Sequence, residues 1–336
     1  MKTIAIVAIF AIAVLVFFSD VILGPRILLT ANPALYQPWR AYAAADALHG
    51  KTYRTDSILT YLPRQTELSR AIGAGRIPLW NPYILGGAPF FADPQSRVLY
   101  PVTLALVPVG AEKAMGYDIA LHFFLALAGM YLFLRIISTS TLGSILGAFA
   151  YGFSSFFFTR MGHPTFVASA AWIPFFFYGL ERARRSERSG TIMLAAFLVA
   201  GYLAGFPQVL VFGVMSLVVY AMWLGIDRTV RGVPGARAEG LADARALGLA
   251  GLISILVVGV HLVPFWEYLR NSIGLGIGLD DMRELYISKP IMLLRCLFPG
   301  FFGNPIEGTN WVPLIQHGVH PYNLGFMVYC GIGTLA

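Results

Sequence analysis

The chain offers a small set of side chains that can do chemistry. Asp56 opens the stretch TDSILTYLPRQTELSRAIG (55–73), in which Ile58, Leu59, Leu62, Leu68 and Ile72 recur at roughly helical spacing. A carboxylate there can take a proton from a hydroxyl, or Thr55 or Asp56 can simply cap the helix. Further on, GRIPLWNPYILGGAPFFADPQS (75–96) gathers a cation, an aromatic face, an amide and a second acid: Arg76, Trp80, Asn81 and Asp93. Prolines and the Gly86-Gly87 pair fix or free the backbone at defined points. Their density predicts an ordered loop rather than a helix or strand, and the plain alternative is a turn that covers the rest of the fold.

Other polar groups stand at the ends of apolar segments. Arg160-Met-Gly-His163-Pro164 pairs a cation with an imidazole, Gly205-Phe-Pro207-Gln208 carries one amide, and His261, Pro264, Trp266 and Glu267 bring an acid. Each charged group has a plainer reading as a snorkelling anchor at a membrane surface. Asp280, Asp281, Arg283 and Glu284 form a charge cluster that also reads as a solvated patch. His317 and His320 lack a third metal ligand. Asp118 and His122 fall on one helical face. They predict either a satisfied contact between helices or the start of a proton path, the former being the commoner outcome.

The elements that must position these groups follow from composition. Of 336 residues, 57% are hydrophobic and 12% are charged, with mean hydropathy +0.69. A soluble domain carries roughly 25% charged residues, so a water-soluble globule is excluded. The net charge of +7 has no basic-aromatic clustering, which argues against nucleic acid as a partner. Cys296 and Cys330 form neither a disulfide framework nor a metal-ligand spacing.

The expected fold is all-α, a polytopic membrane helix bundle. Residues 1–23 read as a first, uncleaved span, since no small-x-small cleavage site follows. Residues 24–113 form a large loop with short amphipathic helices on the membrane surface, and with VLYPVTLALVPVG as a re-entrant or interfacial piece. Spans are predicted at 114–137, 141–159, 165–181, 191–207, 209–226 and 246–264, a six-helix bundle over 114–264. A second outer loop covers 265–321. A further span begins at 322–336, where the chain stops inside an apolar run, as expected of the amino-terminal part of a longer protein.

Segments 181–189 and 227–245 carry four arginines each, so the positive-inside rule puts both in the cytoplasm. Counting spans from them puts the amino terminus inside the cell membrane and the 24–113 loop outside. Residues 160–164, 207–208 and 265–321 fall on that outer side as well. The GxxxG spacings Gly143/Gly147 and Gly201/Gly205 predict close helix packing.

The order of Asp56, PLWNPYILGGAPF (78–90), Tyr100-Pro101, GHPT (162–165), Ala171-Trp172-Ile173-Pro174, GFPQ (205–208) and Pro264-Phe265-Trp266-Glu267 resembles the YfhO-like family of bacterial membrane proteins. That family is grouped with the GT-C glycosyltransferases. The resemblance implies a GT-C-like fold with an acidic residue in the first outer loop. It implies transfer of a sugar from a polyprenyl-phosphate donor to a cell-envelope acceptor such as lipoteichoic acid or another surface polymer. Membrane lipids would surround the reaction on the outer face.

On that resemblance Asp56 is expected to act as general base on the acceptor hydroxyl, or to hold the acceptor for attack at the anomeric carbon, and Arg160, best placed by topology, or else Arg76 or Arg283, would meet the leaving lipid phosphate. Trp80 would stack on the sugar, Asn81 and Gln208 would bind its hydroxyls, and His163 would assist the phosphate. Asp93 and Glu267 complete the candidate site. No cofactor is implied with certainty, and a divalent metal has no visible ligand set. The rival reading is a transporter or lipid flippase using Asp118, His122 and His261 along a path, although the broken-helix repeats of many transporters are absent. A third is a non-catalytic envelope scaffold.

Overall fold

A computed structural model describes residues 2–45, 55–84, 86–185 and 187–272. The helices are α1 (Lys2–Phe17), α2 (Ser19–Ile22), α3 (Leu62–Gly73), α4 (Pro101–Ala105), α5 (Ala111–Ile136), α6 (Thr141–Gly152), α7 (Ser155–Thr159), α8 (Pro164–Arg185), α9 (Glu187–Leu203), α10 (Pro207–Val230) and α11 (Ala236–Arg270). Among the described residues, four helical segments are long and apolar enough to cross a membrane: Ala111–Ile136, Thr141–Thr159, Pro207–Val230 and Ala236–Arg270. Two shorter apolar helices, Ile4–Phe17 and Arg188–Leu203, accompany them. The all-α membrane expectation therefore holds in its coarse form.

Outward-facing apolar side chains such as Phe212, Met215, Val219, Met222, Leu256 and Val263 are more than half exposed. Apolar side chains exposed in such number mark a surface that meets lipid or another protein.

The bundle is organised on α8. Its first half joins the cluster of Phe10, Val14 and Phe18 with Ile119, Phe123 and Leu127 through Val167, Ala170 and Ala171. Its second half joins Leu194, Leu217 and Ala250 through Phe176 and Leu180. At about 1.5 Å rise per residue, its 22 residues hold the two ends roughly 33 Å apart.

Several local expectations need correction. The 75–96 loop contains a small antiparallel ladder, β1 (Trp80–Asn81) with β2 (Ala88–Pro89), because the two glycines supply the positive φ that closes a hairpin. Gly87 has φ +118, and a Cβ there would come within 2.4 Å of the Trp80 indole nitrogen. The span expected at 246–264 lies inside a longer helix, which starts at Ala236 and so takes in residues 236–245 as well. Asp243 sustains that start: Arg184 forks onto its carboxylate at 2.8 and 2.7 Å, and Arg228 approaches at 3.4 Å. Of the GxxxG glycines, Gly147 lies against Leu134 of α5 and Gly201 against Phe176 of α8. Gly143 instead faces its own preceding turn. Gly205, at φ +99, makes room for Pro94 and Arg97 of the loop.

Candidate functional site

Asp56 was expected either to cap a helix or to do chemistry. It makes no cap hydrogen bond to the π-helical turn Ser57–Tyr61 that follows it. Its carboxylate, about half exposed, instead accepts a hydrogen bond from Nε2 of the nearly buried His163 at 2.7 Å. Local packing enforces the meeting. Ser57 Oγ receives the backbone N–H and the hydroxyl of Thr30, at 3.2 and 3.0 Å. Thr30 lies directly over Gly162, where a Cβ would come within 2.5 Å of its hydroxyl oxygen. The glycine of Gly162-His163-Pro164 thus admits the loop, the histidine receives the acid, and the proline opens α8.

A second layer lies one turn further along. Tyr61 touches Thr165 of α8 at 3.1 Å and donates to Gln95 at 3.2 Å. Its burial pushes its pKa up to about 12 against the counter-pull of the Thr165 hydrogen bond, so it stays a neutral hydroxyl. Arg64 pairs with Asp93 at 2.6 Å, and the other Asp93 oxygen accepts from the Gln95 N–H at 2.9 Å. Between Tyr61, Arg64, Gln65, Arg97 and Thr103 lies a cavity of about 20 Å³. Around it, Arg64 Nη1, Gln65 Nε2, Arg97 Nε and Thr103 Oγ1 have no hydrogen-bond partner among the described residues. Its size and polarity suit a single water molecule.

Arg160 joins the same end of the bundle. Its guanidinium sits 4.6 Å over the Phe166 ring, and Phe166 lies 5.5 Å from the His163 ring. Phe166 also packs against Phe206, which brings the exposed Gln208, in the first turn of α10, to this end. Glu267 is exposed on α11, next to Tyr268, which lies within electrostatic reach of Asp93 and Arg64. Asp56, His163, Arg160 and Asp93 therefore share one end of α8.

The hairpin residues do not join them directly. Asn81 is buried, and its side-chain oxygen accepts from the Tyr83 N–H at 3.0 Å, as in a turn. Trp80 and Arg76 are exposed, and among the described residues no hydrogen bond or ring contact ties them, or Glu267, to Asp56. Arg283, with the rest of the 280–284 cluster, His317 and His320, lies outside the described residues.

The pair Asp118 and His122 proves to be a satisfied contact. Arg97 donates twice to Asp118, at 2.7 and 2.9 Å, with both side chains buried. The Asp118 carbonyl accepts from His122 Nδ1 at 2.7 Å, which leaves Nε2 to accept from the Tyr100 hydroxyl at 2.6 Å. The Tyr100 oxygen in turn receives the Trp172 indole N–H at 2.8 Å. His261 meets the Tyr202 hydroxyl at 2.8 Å. Sequence reasoning missed Tyr61, Arg64 and Arg97; the only signal was their place inside a loop that already held Asp56 and Asp93.

Among the described residues, no three His, Cys, Asp or Glu side chains come together to hold a metal ion. Comparison with protein-family models, curated proteins and solved structures yields no match.

Proposed function

We propose that the protein is a membrane glycosyltransferase of the GT-C type, moving a sugar from a polyprenyl-phosphate donor to a cell-envelope acceptor on the outer face. The observation that carries this reading is the half-exposed Asp56 carboxylate held on a nearly buried imidazole, with Arg160 at the same end of α8. The arginine-rich end of that helix lies about 30 Å away, and the positive-inside rule assigns it to the cytoplasm. The Asp56 end then meets the extracytoplasmic surface, where lipid-linked sugars are consumed.

The chemistry needs few parts. The Nε2–H of His163 hydrogen-bonds to one Asp56 oxygen and keeps its proton, which fixes the carboxylate and leaves the other oxygen for the acceptor hydroxyl. As that hydroxyl attacks the anomeric carbon, its proton passes to Asp56. The bond from the anomeric carbon to the phosphate oxygen breaks, and the lipid phosphate leaves with the electron pair. Arg160 supplies positive charge where that oxygen becomes anionic. The transporter reading is weaker because Asp118, His122 and His261, the groups that would line its path, are each bonded to neighbours.

The test is an assay of purified protein with a polyprenyl-phosphate sugar and an envelope acceptor. Release of lipid phosphate in step with acceptor glycosylation is expected. Solute counterflow without lipid-phosphate release would contradict the proposal.

A further inference from the structure

At the opposite end of the bundle, α8 to α11 enclose a cleft of about 690 Å³. Four arginines and two acids line it, and the four cations are not equivalent. Arg184 and Arg228 are neutralised by Asp243, with Glu181 and Glu239 as further partners. Arg188 and Arg245 are exposed and pair with no carboxylate among the described residues. Among the described side chains, the cleft therefore holds two exposed arginines with no carboxylate paired to them, and four arginines against three acids in all, Glu181 included.

Its walls are ordered along the helices. On α11, Arg245 is followed at four-residue intervals by Leu249 and Ile253, and on α9, Arg188 is followed in the same way by Ile192. Residues four apart share a helix face, so each wall reads cation first and apolar next. The two helices pack together, with Ser254 donating to the Ala195 carbonyl at 3.1 Å. Ile192 and Leu249 remain 62% and 50% exposed. A soluble anion has no use for that apolar stripe, and an uncharged chain has no use for the arginines.

We propose that this cleft binds an anionic phospholipid, its phosphate between Arg188 and Arg245 and an acyl chain along Ile192, Leu249 and Ile253. Basic pockets between spans suit such head groups, since each arginine adds attraction that an isolated surface charge lacks. The site stands apart from Asp56 and does not depend on the transferase reading.

The test is native mass spectrometry of the full chain released from bilayers of mixed phosphatidylglycerol and phosphatidylcholine. Preferential retention of phosphatidylglycerol is expected. The double variant R188Q/R245Q should lower that preference about thirtyfold while leaving the melting temperature in phosphatidylcholine unchanged. R231Q removes an exposed arginine paired with Asp227 outside the cleft and should leave the preference intact. Equal retention of the two lipids, or an unaltered preference in R188Q/R245Q, would overturn the proposal. Full displacement of the lipid by inorganic phosphate would overturn it in favour of a soluble anion, and protection of the cleft by later residues of the chain in cross-linking would overturn it in favour of self-occupancy.

Discussion

Asp56 and His163, 107 positions apart in sequence, meet at 2.7 Å with the acid half exposed and the imidazole nearly buried. On the proposed function, the role this contact gives His163 is to orient Asp56. Replacing His163 by Ala should lower kcat about tenfold to a hundredfold with little change in KM, because a misaimed base loses orientation rather than binding. His163→Gln, which keeps a side-chain N–H, should recover part of the loss. In steady-state assays the double variant D56N/H163A should be no slower than D56N, since the two residues work as one unit.

The contact between Thr30 and Gly162 sets the distance between those two groups. Gly162→Ala should push the Thr30–Ser57 junction away and lower turnover. Adding Thr30→Ala, which removes the two closest atoms, should restore part of it. Turnover of the single and double variants measures this directly.

The bidentate Arg97–Asp118 pair is buried on both sides. Removing one partner strands a charge, so Asp118→Ala should cost about 3–5 kcal/mol and Arg97→Ala a similar amount. Chemical denaturation in detergent would measure both. Replacing the two together by apolar residues should cost less than either single change.

Tyr61 gives the account a pH signature. Its folded pKa of about 12 exceeds the ordinary value of about 10, so the unfolded chain gives up the proton first. The stability from keeping Tyr61 neutral is fully present below about pH 10 and is lost as pH rises towards 12, by roughly 3 kcal/mol at most. Wild type should exceed Tyr61→Phe in melting temperature at neutral pH, and the gap should narrow above about pH 10.

The apolar runs and the arginine clusters made the helical membrane character legible, because hydrophobic periodicity is a local property. The charges of residues 236–245 read as a boundary between spans, which hid their continuity with the helix that follows. Their helix is held by Asp243 and Arg184, which are 59 positions apart. Asp56 was legible as a candidate through its place before an apolar helix, but its partner was not, since nothing local encodes a contact across 107 residues. Asn81 had the right type for a sugar contact, but the bond its side-chain oxygen accepts from the Tyr83 N–H was not legible in the sequence. Arg97 carried no signal beyond its place in the 24–113 loop, whereas folding buries it against Asp118.

The most direct test of the central claim is the turnover of Asp56→Asn with a polyprenyl-phosphate sugar. The asparagine oxygen can still accept the His163 hydrogen bond, and Asp56 caps no helix, so the variant should fold with an unchanged melting temperature. The account predicts loss of transfer by about a hundredfold or more. Transfer near the wild-type rate in a correctly folded Asp56→Asn protein would contradict it.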